Sequence, residues 1–330
     1  MKKLRIIAAL ATAICLVLVS QVSLFGAPSN VQVAKFFMGK RSCLVNGVGQ
    51  AADAAPCVVK GTTMISLRCA VYAVGLTEND FVVSQSPAGT VIAISRPYVQ
   101  NKVSVKDVVY FTVGKSDFYI NSPKTAGKLE APVQIIGGKA MMPFRSTIQA
   151  LGGLCYGDPK EKSITVVTWV KPLATPQQVT KKLVLRENDK KAVVTGIDGK
   201  TRTISGPAPA CIGQPPVGWM LDAVQYLKLW GVPAESVFYD PVRGGLMMRG
   251  MNGPGKATYI YFYTGQKQAL DSLNRRYPDA SQLMGVDPFR NSGGKFLAGR
   301  AVLCAPELLF GGRITSEYIL EKQTLNVEWK

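Results

Sequence analysis

Residues 141–153 read Met-Met-Pro-Phe-Arg-Ser-Thr-Ile-Gln-Ala-Leu-Gly-Gly, and this stretch decides the fold that we predict. Pro143 suits the first position of a helix, where its missing N–H costs little. Apolar residues then recur at helical spacing and form one stripe, at Phe144, Ile148 and Leu151. Gly152 stands where a left-handed cap would end the helix. The sequence therefore predicts a short helix, followed after a turn by a β-branched strand at Ser163–Trp169.

The same order of turn, short helix, closing glycine and strand recurs along the chain. One clear copy precedes residue 141, and two weaker copies follow it. The glycines predicted to close the four helices lie 77, 79 and 80 residues apart, at Gly75, Gly152, Gly231 and Gly311. A fixed period of this kind indicates repeated structural units.

The stretch GGKAMMPFRSTIQALGGLCYGDPKEKSITVV, which ends at Val167, resembles the copper amine oxidase N-terminal-like domain, a bacterial stalk module. The resemblance is close over Lys35–Ser95 and Val109–Val170. It is weaker over the two C-terminal units, where the Pro-x-Arg element is degraded. The resemblance implies the fold of that module and a peripheral part of an amine oxidase, without the catalytic machinery of the oxidase.

Each unit is predicted to be an α+β arrangement, in which one curled antiparallel β-sheet packs around one short α-helix. A helix of about ten residues cannot bury its own apolar stripe, and a sheet wrapped on the helix would cover that stripe. The chain is therefore divided into a signal peptide, two stalk-like units, a linker and two diverged units, at 1–27, 28–101, 102–171, 172–179, 180–252 and 253–330.

Three local predictions refine this division. The small residues of Gly47–Ala55 indicate a loop. Trp219–Trp230 has the spacing of an amphipathic helix that Gly231 would end. The long loop of the last unit is predicted to hold a small helix at Gln268–Arg275.

The first 27 residues have the pattern of a secretory signal peptide. Lys2, Lys3 and Arg5 precede the apolar run Ile6–Ser20, which is too short for a permanent membrane anchor. We therefore expect a protein secreted to the cell surface or cell wall, with no stable membrane span after the signal is removed.

The chain is strongly basic, with a formal net charge of +18, and loss of the three charges of the signal would leave +15. Such a surface attracts anionic partners. We expect anionic cell-wall polymers or other surface proteins as partners, with self-assembly as a further option. Nucleic acid is not expected, because a secreted chain rarely meets it. A dispersed, solvated basic surface without a partner is the open alternative.

Six cysteines remain after the signal peptide: Cys43, Cys57, Cys69, Cys155, Cys211 and Cys304. An even count in an exported protein permits disulfides, and the connectivity stays open. Buried free thiols are the alternative. Cys43 and Cys57 are expected on neighbouring strands and would be the easiest pair to bridge.

The chain contains no histidine. A copper site with three histidine ligands and the commonest general base are therefore missing. We predict a protein that is not an enzyme and has no catalytic, cofactor-binding or metal-binding residues. Glu78 and Asp80 are too few for a calcium cage, and Asp158 and Asp240 suit turns. A wall hydrolase with its site in the C-terminal half is the enzymatic alternative.

Two further motifs suggest ligands but favour a structural interpretation. Gly250–Lys256 fits part of a phosphate-binding loop, but Ala257 and a predicted strand follow it, so we predict a turn between units. Three methionines suggest a Cu(I) site, yet their place on a predicted strand favours core packing, at Met247, Met248 and Met251.

Aromatic and basic residues supply the last candidates. Tyr259, Tyr261 and Tyr263 alternate on one predicted strand and share one face. Burial of this face is favoured over an exposed platform for a sugar or a protein. Arg68 and Arg145 hold matching positions and are predicted to tie each helix start to strand carbonyls or to a carboxylate rather than to a ligand.

These observations favour a secreted, non-catalytic structural protein of the cell surface or envelope, serving as a spacer, adhesion or assembly module. Two alternatives remain open. One is a wall-polymer or carbohydrate-binding protein that uses the basic surface and the tyrosine strand. The other is a subunit of an extracellular fibre, joined through exposed edge strands.

Overall fold

The computed structural model describes residues 30–205, 210–211, 219–240, 242–250, 258–263, 266, 268–277, 297–298, 314–319, 322 and 324–329. From Gln32 onward these residues belong to one body. The predicted signal peptide lies outside the described residues. The helical run predicted from Lys295 to Phe310 is described only at Leu297–Ala298, which form a strand, so the prediction is wrong there. Within the described part, no helix is long and apolar enough to cross a bilayer.

Three α-helices of seven residues each are described: α1 (Leu67–Ala73), α2 (Phe144–Ala150) and α3 (Ala223–Leu229). Each ends at a glycine with positive φ, as predicted for Gly75, Gly152 and Gly231. In α2 the Gly152 N–H donates to the Gln149 carbonyl at 3.2 Å, and the next N–H reaches back to Ile148. This pair of bonds satisfies carbonyls that the helix leaves free.

Most of the described residues form antiparallel β-sheet. The strands of the first half are β1 (Val31–Phe37), β2 (Ser42–Val45), β3 (Val48–Ala51), β4 (Cys57–Val59), β5 (Thr62–Ser66), β6 (Phe81–Ser86), β7 (Gly89–Gln100), β8 (Val103–Thr112), β9 (Asp117–Ile120), β10 (Ser122–Lys128), β11 (Gln134–Ile136), β12 (Lys139–Pro143), β13 (Leu154–Asp158) and β14 (Ser163–Trp169). Pro143 therefore ends a strand and caps α2, one residue before the position predicted for it.

The first-half strands form three sheets, and each sheet mixes strands from the two predicted units. The orders are β13-β14-β1-β2-β3, β10-β9-β8-β7-β6 and β11-β12-β5-β4. The prediction that each helix is wrapped by a sheet of its own is therefore wrong. The boundary predicted at residue 101 is the turn of one long hairpin, β7–β8, with positive φ at Asn101 and Lys102. This hairpin carries strands of both predicted units into one sheet.

In the sheets of the second half, the strands follow the same order as their counterparts in the first half. Its strands are β15 (Thr180–Arg186), β16 (Lys191–Gly196), β17 (Thr201–Ser205), β18 (Ala210–Cys211), β19 (Trp219–Asp222), β20 (Val237–Asp240), β21 (Gly245–Arg249), β22 (Tyr259–Tyr263), β23 (Ala269–Asp271), β24 (Arg276–Tyr277), β25 (Leu297–Ala298), β26 (Ile314–Ile319) and β27 (Thr324–Trp329). They are ordered β17-β16-β15-β27-β26, β18-β19-β25 and β20-β21-β22-β23-β24. Strands far apart in sequence again meet in one sheet.

Strand pairing overrides the local signals at three places. The helix predicted over Trp219–Trp230 begins only at Ala223, because the residues before it form β19 and pair with β18 and β25. The segment Gln268–Arg275, predicted as a helix, holds β23 and a turn. The loop predicted at Gly47–Ala55 contains β3. Cross-strand partners, which the local sequence does not contain, decide each of these segments.

Among the described residues, each half has one hydrophobic core. Helices α1 and α2 share the first core, and α3 lies in the second. Leu273 comes from the turn after β23 in the second half, yet it belongs to the first core and is 2% exposed. The Leu273 carbonyl accepts a hydrogen bond from the Lys128 N–H at 3.3 Å. The two halves are therefore joined by apolar packing as well as by the linker.

Candidate functional site

The four-stranded sheet of the first half repeats its own register. Cys57 pairs with Met64 in β4–β5, and Gln134 pairs with Met141 in β11–β12, 77 residues later at both partners. In the central β5–β12 pairing, Met64 lies opposite Pro143, the last residue of β12. Met141 likewise lies opposite Ser66, the last residue of β5. Residues 77 apart therefore hold corresponding places in this sheet and in the helices that follow. Three such pairs bear on the site: Asp53 with Glu130, Thr62 with Lys139, and Arg68 with Arg145.

A closed ionic cluster is formed by Asp53, Arg68, Lys139 and Glu78. The Lys139 ammonium donates to Asp53 Oδ1 at 2.9 Å. Arg68 Nη1 lies 3.7 Å from the same oxygen, and its Nε lies 3.2 Å from Glu78 Oε1. The side chain of Asp53 is 16% exposed. Arg68 thus ties the start of α1 to carboxylates, which confirms the structural role predicted for it.

The ionic cluster makes stability depend on pH. Burial alone would raise the pKa of Asp53, but the hydrogen bond and charge of Lys139, with the charge of Arg68, lower it below the ordinary value. A carboxyl group with a lowered folded-state pKa stabilises the fold above its unfolded pKa of about 3.9, and this contribution is lost as pH falls through the folded-state pKa.

We expect Asp53→Asn to lower the free energy of unfolding by about 1 kcal/mol near neutral pH, since the cluster is partly solvated. The difference from wild type should shrink steadily below about pH 4. Urea unfolding across this pH range measures it. A difference of the same size in acid and at neutral pH would contradict the ionic assignment.

The corresponding place around Arg145 is open. A cleft of about 260 Å³ lies there, between β5, the start of α2 and β13. Its lining consists of Gly61, Thr62, Thr63, Glu130, Phe144, Arg145, Cys155, Tyr156, Gly157 and Ile164. Thr62 stands where the other cluster has Lys139, and its side chain is too short to reach across. The cleft is therefore the unfilled counterpart of the closed ionic cluster.

Two opposite charges face this cleft. Glu130 accepts a hydrogen bond from the Ser146 hydroxyl. Among the described residues, neither Glu130 nor Arg145 forms an ion pair with another side chain. The role predicted for Arg145, a tie to strand carbonyls or to a carboxylate, is therefore not found where the structure describes its surroundings. Both side chains are exposed and available to a ligand.

Cys155 also lines the cleft. Burial raises the pKa of its thiol strongly, Arg145 opposes this shift and Glu130 adds to it. The thiol therefore stays protonated and neutral at physiological pH, and a neutral thiol is a poor nucleophile and a poor metal ligand. The cleft has the features of a binding site and lacks an activated sulfur.

The tyrosine face of β22 lies on the first half of the chain. Tyr259, Tyr261 and Tyr263 are 2%, 0% and 7% exposed, which confirms the predicted burial. The intervening Ile260 and Phe262 point into the second core. The tyrosine face is therefore an internal surface between the two halves, and an aromatic platform for sugars at these residues is excluded.

The buried tyrosine hydroxyls make specific hydrogen bonds. The Tyr261 hydroxyl donates to the Gln149 carbonyl near the end of α2. The Tyr263 hydroxyl accepts from the Cys155 N–H at 3.2 Å and from the Gln149 side-chain amide at 3.3 Å. Burial raises the pKa of both tyrosines well above the ordinary range, so both hydroxyls remain protonated.

A buried ion pair joins the halves beside the tyrosines. Arg249 Nη1 lies 2.5 Å from Asp107 Oδ2, with side chains 0% and 3% exposed. Asp107 Oδ1 accepts from the Asn121 amide at 2.7 Å. The guanidinium carbon lies 4.0 Å from the centre of the Tyr98 ring and 5.1 Å from that of Tyr259. Burial alone would lower the pKa of Arg249, but Tyr259 and Asp107 raise it, so the group remains charged.

The remaining sequence candidates have structural roles where the structure describes them. Met247 and Met248 are fully buried, which confirms core packing. Asp158 Oδ1 accepts from the N–H groups of Lys160 and Glu161, as expected of a turn residue. Asp240 does the same in its own turn. Other members of these motifs lie outside the described residues: Met251 and residues 251–257 of the loop that begins at Gly250.

The cysteines described with side chains are free thiols: Cys43, Cys57, Cys69 and Cys155. Cys43 lies on β2 and Cys57 on β4, and these strands belong to different sheets. The expectation that this pair occupies neighbouring strands is therefore wrong. The side chains of Cys211 and Cys304 lie outside the described residues. Within the described ranges, no cluster of three or more cysteine or carboxylate side chains is placed to hold a metal ion.

Sequence reasoning singled out the two arginines but missed their surroundings. Lys139 and Asp53 are 86 residues apart, and nothing in the local sequence of either indicates the contact. The 77-residue period contained the missing signal, since it places Glu130 at the position of Asp53. It also shows that Lys139 has no lysine counterpart at Thr62.

Comparison with known proteins identifies one segment. Residues 44–166 match the family model described as copper amine oxidase N-terminal domain. The match covers a little over a third of the 330 residues and contains α1, α2, the closed ionic cluster and the cleft. No curated protein and no solved structure matches the chain significantly. The resemblance inferred from sequence is confirmed for this segment, and further copies of the domain stay a prediction.

Proposed function

From the copper amine oxidase N-terminal domain that residues 44–166 carry, we propose that this is a secreted, non-catalytic structural protein of the cell envelope. It would serve as a spacer, adhesion or assembly module built from related units. The predicted signal peptide and the 77 to 80-residue period support this proposal. In its own family the stalk domain is peripheral to catalysis.

One structural observation carries the proposal. The tyrosine face of β22, Leu273 and the Arg249–Asp107 pair all pack on the first half. The halves meet through aromatic packing, apolar burial and a buried charge pair, a combination that resists relative movement of the two parts. A firm block with its aromatic residues turned inward suits a spacer.

Exposure on intact cells tests the proposed location. A membrane-impermeant lysine-reactive label, applied to intact cells of the source organism, should modify the native protein. A cytoplasmic protein of similar lysine content serves as the control for cell lysis. Recovery of the label only after lysis would refute the envelope role.

The basic surface favours wall-polymer binding as a second candidate function. The chain carries 39 lysines and arginines against 21 acidic residues, and its tyrosine strand is buried. Attraction to an anionic polymer through dispersed charges is screened by salt, with a Debye length of about 10 Å at 0.1 M and about 3 Å at 1 M.

We expect binding to purified anionic wall polymer at low salt and loss of most of it at about 1 M salt. Co-sedimentation measures the bound fraction, and a neutral polysaccharide provides the matched control. Retention at high salt, or equal binding to the neutral polymer, would contradict charge-driven binding and indicate a specific groove.

Fibre assembly remains the other candidate. The edge strand β6 exposes Val82 and Val83 at 63% and 51%, and an apolar edge offers unpaired backbone groups to another strand. Electron micrographs of the purified protein decide this point: filaments would favour assembly, and dispersed particles would rule it out.

A further inference from the structure

We propose that the cleft between Glu130 and Arg145 binds a small zwitterion of the amino-acid or short-peptide class. The ligand's ammonium group would lie against Glu130, and its carboxylate would lie against Arg145. This inference concerns a site in residues 44–166 and is independent of the envelope role, so failure of either leaves the other standing.

The closed ionic cluster shows what the cleft lacks. There, an ammonium group from Lys139 reaches Asp53 at 2.9 Å, and Arg68 lies between two carboxylates, those of Asp53 and Glu78. At the corresponding place, Thr62 supplies no ammonium group, and the position of Glu78 is taken by Cys155. Among the described residues, Glu130 and Arg145 form no ion pair with each other or with a third side chain, and a zwitterion would neutralise both.

The dimensions and lining of the cleft favour a compact ligand. Its volume of about 260 Å³ is slightly below the usual range for sites that bury drug-sized molecules, roughly 300–1,000 Å³. An oligosaccharide would not be enclosed. Phe144, Tyr156 and Ile164 in the lining offer apolar contact, and the hydroxyl of Thr62, which corresponds to the side chain of Lys139, offers a hydrogen bond.

The cleft presents one negative side chain, Glu130, and one positive side chain, Arg145, to such a ligand. The Cys155 thiol, which lies near both charged residues, remains neutral, because burial raises its pKa. It therefore does not compete with Glu130 for the ammonium group or with the ligand's carboxylate for Arg145. The guanidinium of arginine suits a carboxylate because it donates two parallel hydrogen bonds to it.

The binding test uses the full-length protein and two probes, alanine and the dipeptide alanyl-alanine, followed by saturation-transfer NMR and calorimetry. At least one probe should bind. N-acetylalanine, which lacks the ammonium group, and alaninamide, which lacks the carboxylate, should each bind at least about tenfold more weakly, a loss of about 1.4 kcal/mol. If neither zwitterion binds at about 10 mM, or if the blocked compounds bind equally well, the proposal is overturned.

Two variants test where the ligand binds, and each exchanges residues between the cleft and the closed ionic cluster. Thr62→Lys supplies an internal ammonium group against Glu130 and should weaken binding at least about tenfold while the protein stays folded. The double exchange Lys139→Thr with Glu78→Cys opens the corresponding place at Asp53 and Arg68 and should add a second site, raising the stoichiometry from one to two. Circular dichroism verifies folding of both variants. Unchanged affinity in the folded Thr62→Lys variant would place the ligand elsewhere and refute the assignment.

Discussion

Replacing Asp107 by asparagine should lower the free energy of unfolding by about 3–5 kcal/mol, because the change leaves the charge of Arg249 buried without its counterion. Arg249 is fully buried and its pKa is raised, so it cannot avoid the cost by losing its proton. The Asn121 amide would still find an oxygen at residue 107, which confines the loss largely to the ion pair. Denaturant unfolding measures the effect.

A surface pair supplies the matched control. Lys182 and Glu328 lie 3.8 Å apart with side chains 42% and 45% exposed. Glu328→Gln should cost less than about 1 kcal/mol. The double variant Asp107→Asn with Arg249→Met removes both buried charges and should recover much of the loss seen in Asp107→Asn alone. If Asp107→Asn costs no more than Glu328→Gln, the pair does not join the halves as described.

Gly152→Ala should destabilise the protein by about 2–5 kcal/mol, from two separate causes. Gly152 has a φ of +77°, which costs an L side chain roughly 1–2 kcal/mol. An added Cβ would also lie 2.7 Å from Cζ of Tyr259 and 3.1 Å from Nε of Arg96. The tyrosine ring is held between the halves and has little room to move, so overpacking adds roughly 1–3 kcal/mol.

Gly199→Ala separates the two causes. Gly199 has nearly the same φ, +76°, but a Cβ added there would meet no atom within 4 Å beyond its own chain neighbours. It should therefore show only the backbone cost of roughly 1–2 kcal/mol. Thermal and denaturant unfolding of both variants measure the difference. Equal losses in the two variants would show that β22 does not press against the end of α2.

Local signals in the sequence predicted the helix ends and several strands well. Gly75, Gly152 and Gly231 end the helices because a left-handed cap needs a residue without a side chain. The strand predicted at Ser163–Trp169 has the observed bounds, since its β-branched residues are buried on both faces. Burial of the tyrosines also follows from a local signal, the enrichment of aromatic residues in strands.

Local signals in the sequence do not show which strands pair with each other in a sheet. The strand β3 is exposed throughout, so its four residues carry no apolar alternation to mark them. The β7–β8 hairpin brings strands of both predicted units into one sheet. The repeat pattern in the sequence would be the same if each unit kept its own strands, so it does not predict this pairing. In the candidate site, Arg68 and Arg145 were found by their repeat, while Lys139 and its missing counterpart at Thr62 required the register of β5 and β12.

Because β1 lies beside β14, the beginning and end of the first half close one sheet, and the ion pair of Lys35 with Glu161 joins residues 126 apart. On the ribosome, β1 can pair at once with β2, but its other edge must wait for more than a hundred further residues before β14 emerges. Contacts of such long range slow folding and prolong exposure of unpaired strands. The free edge of β1 therefore stays unpaired until synthesis has passed residue 169.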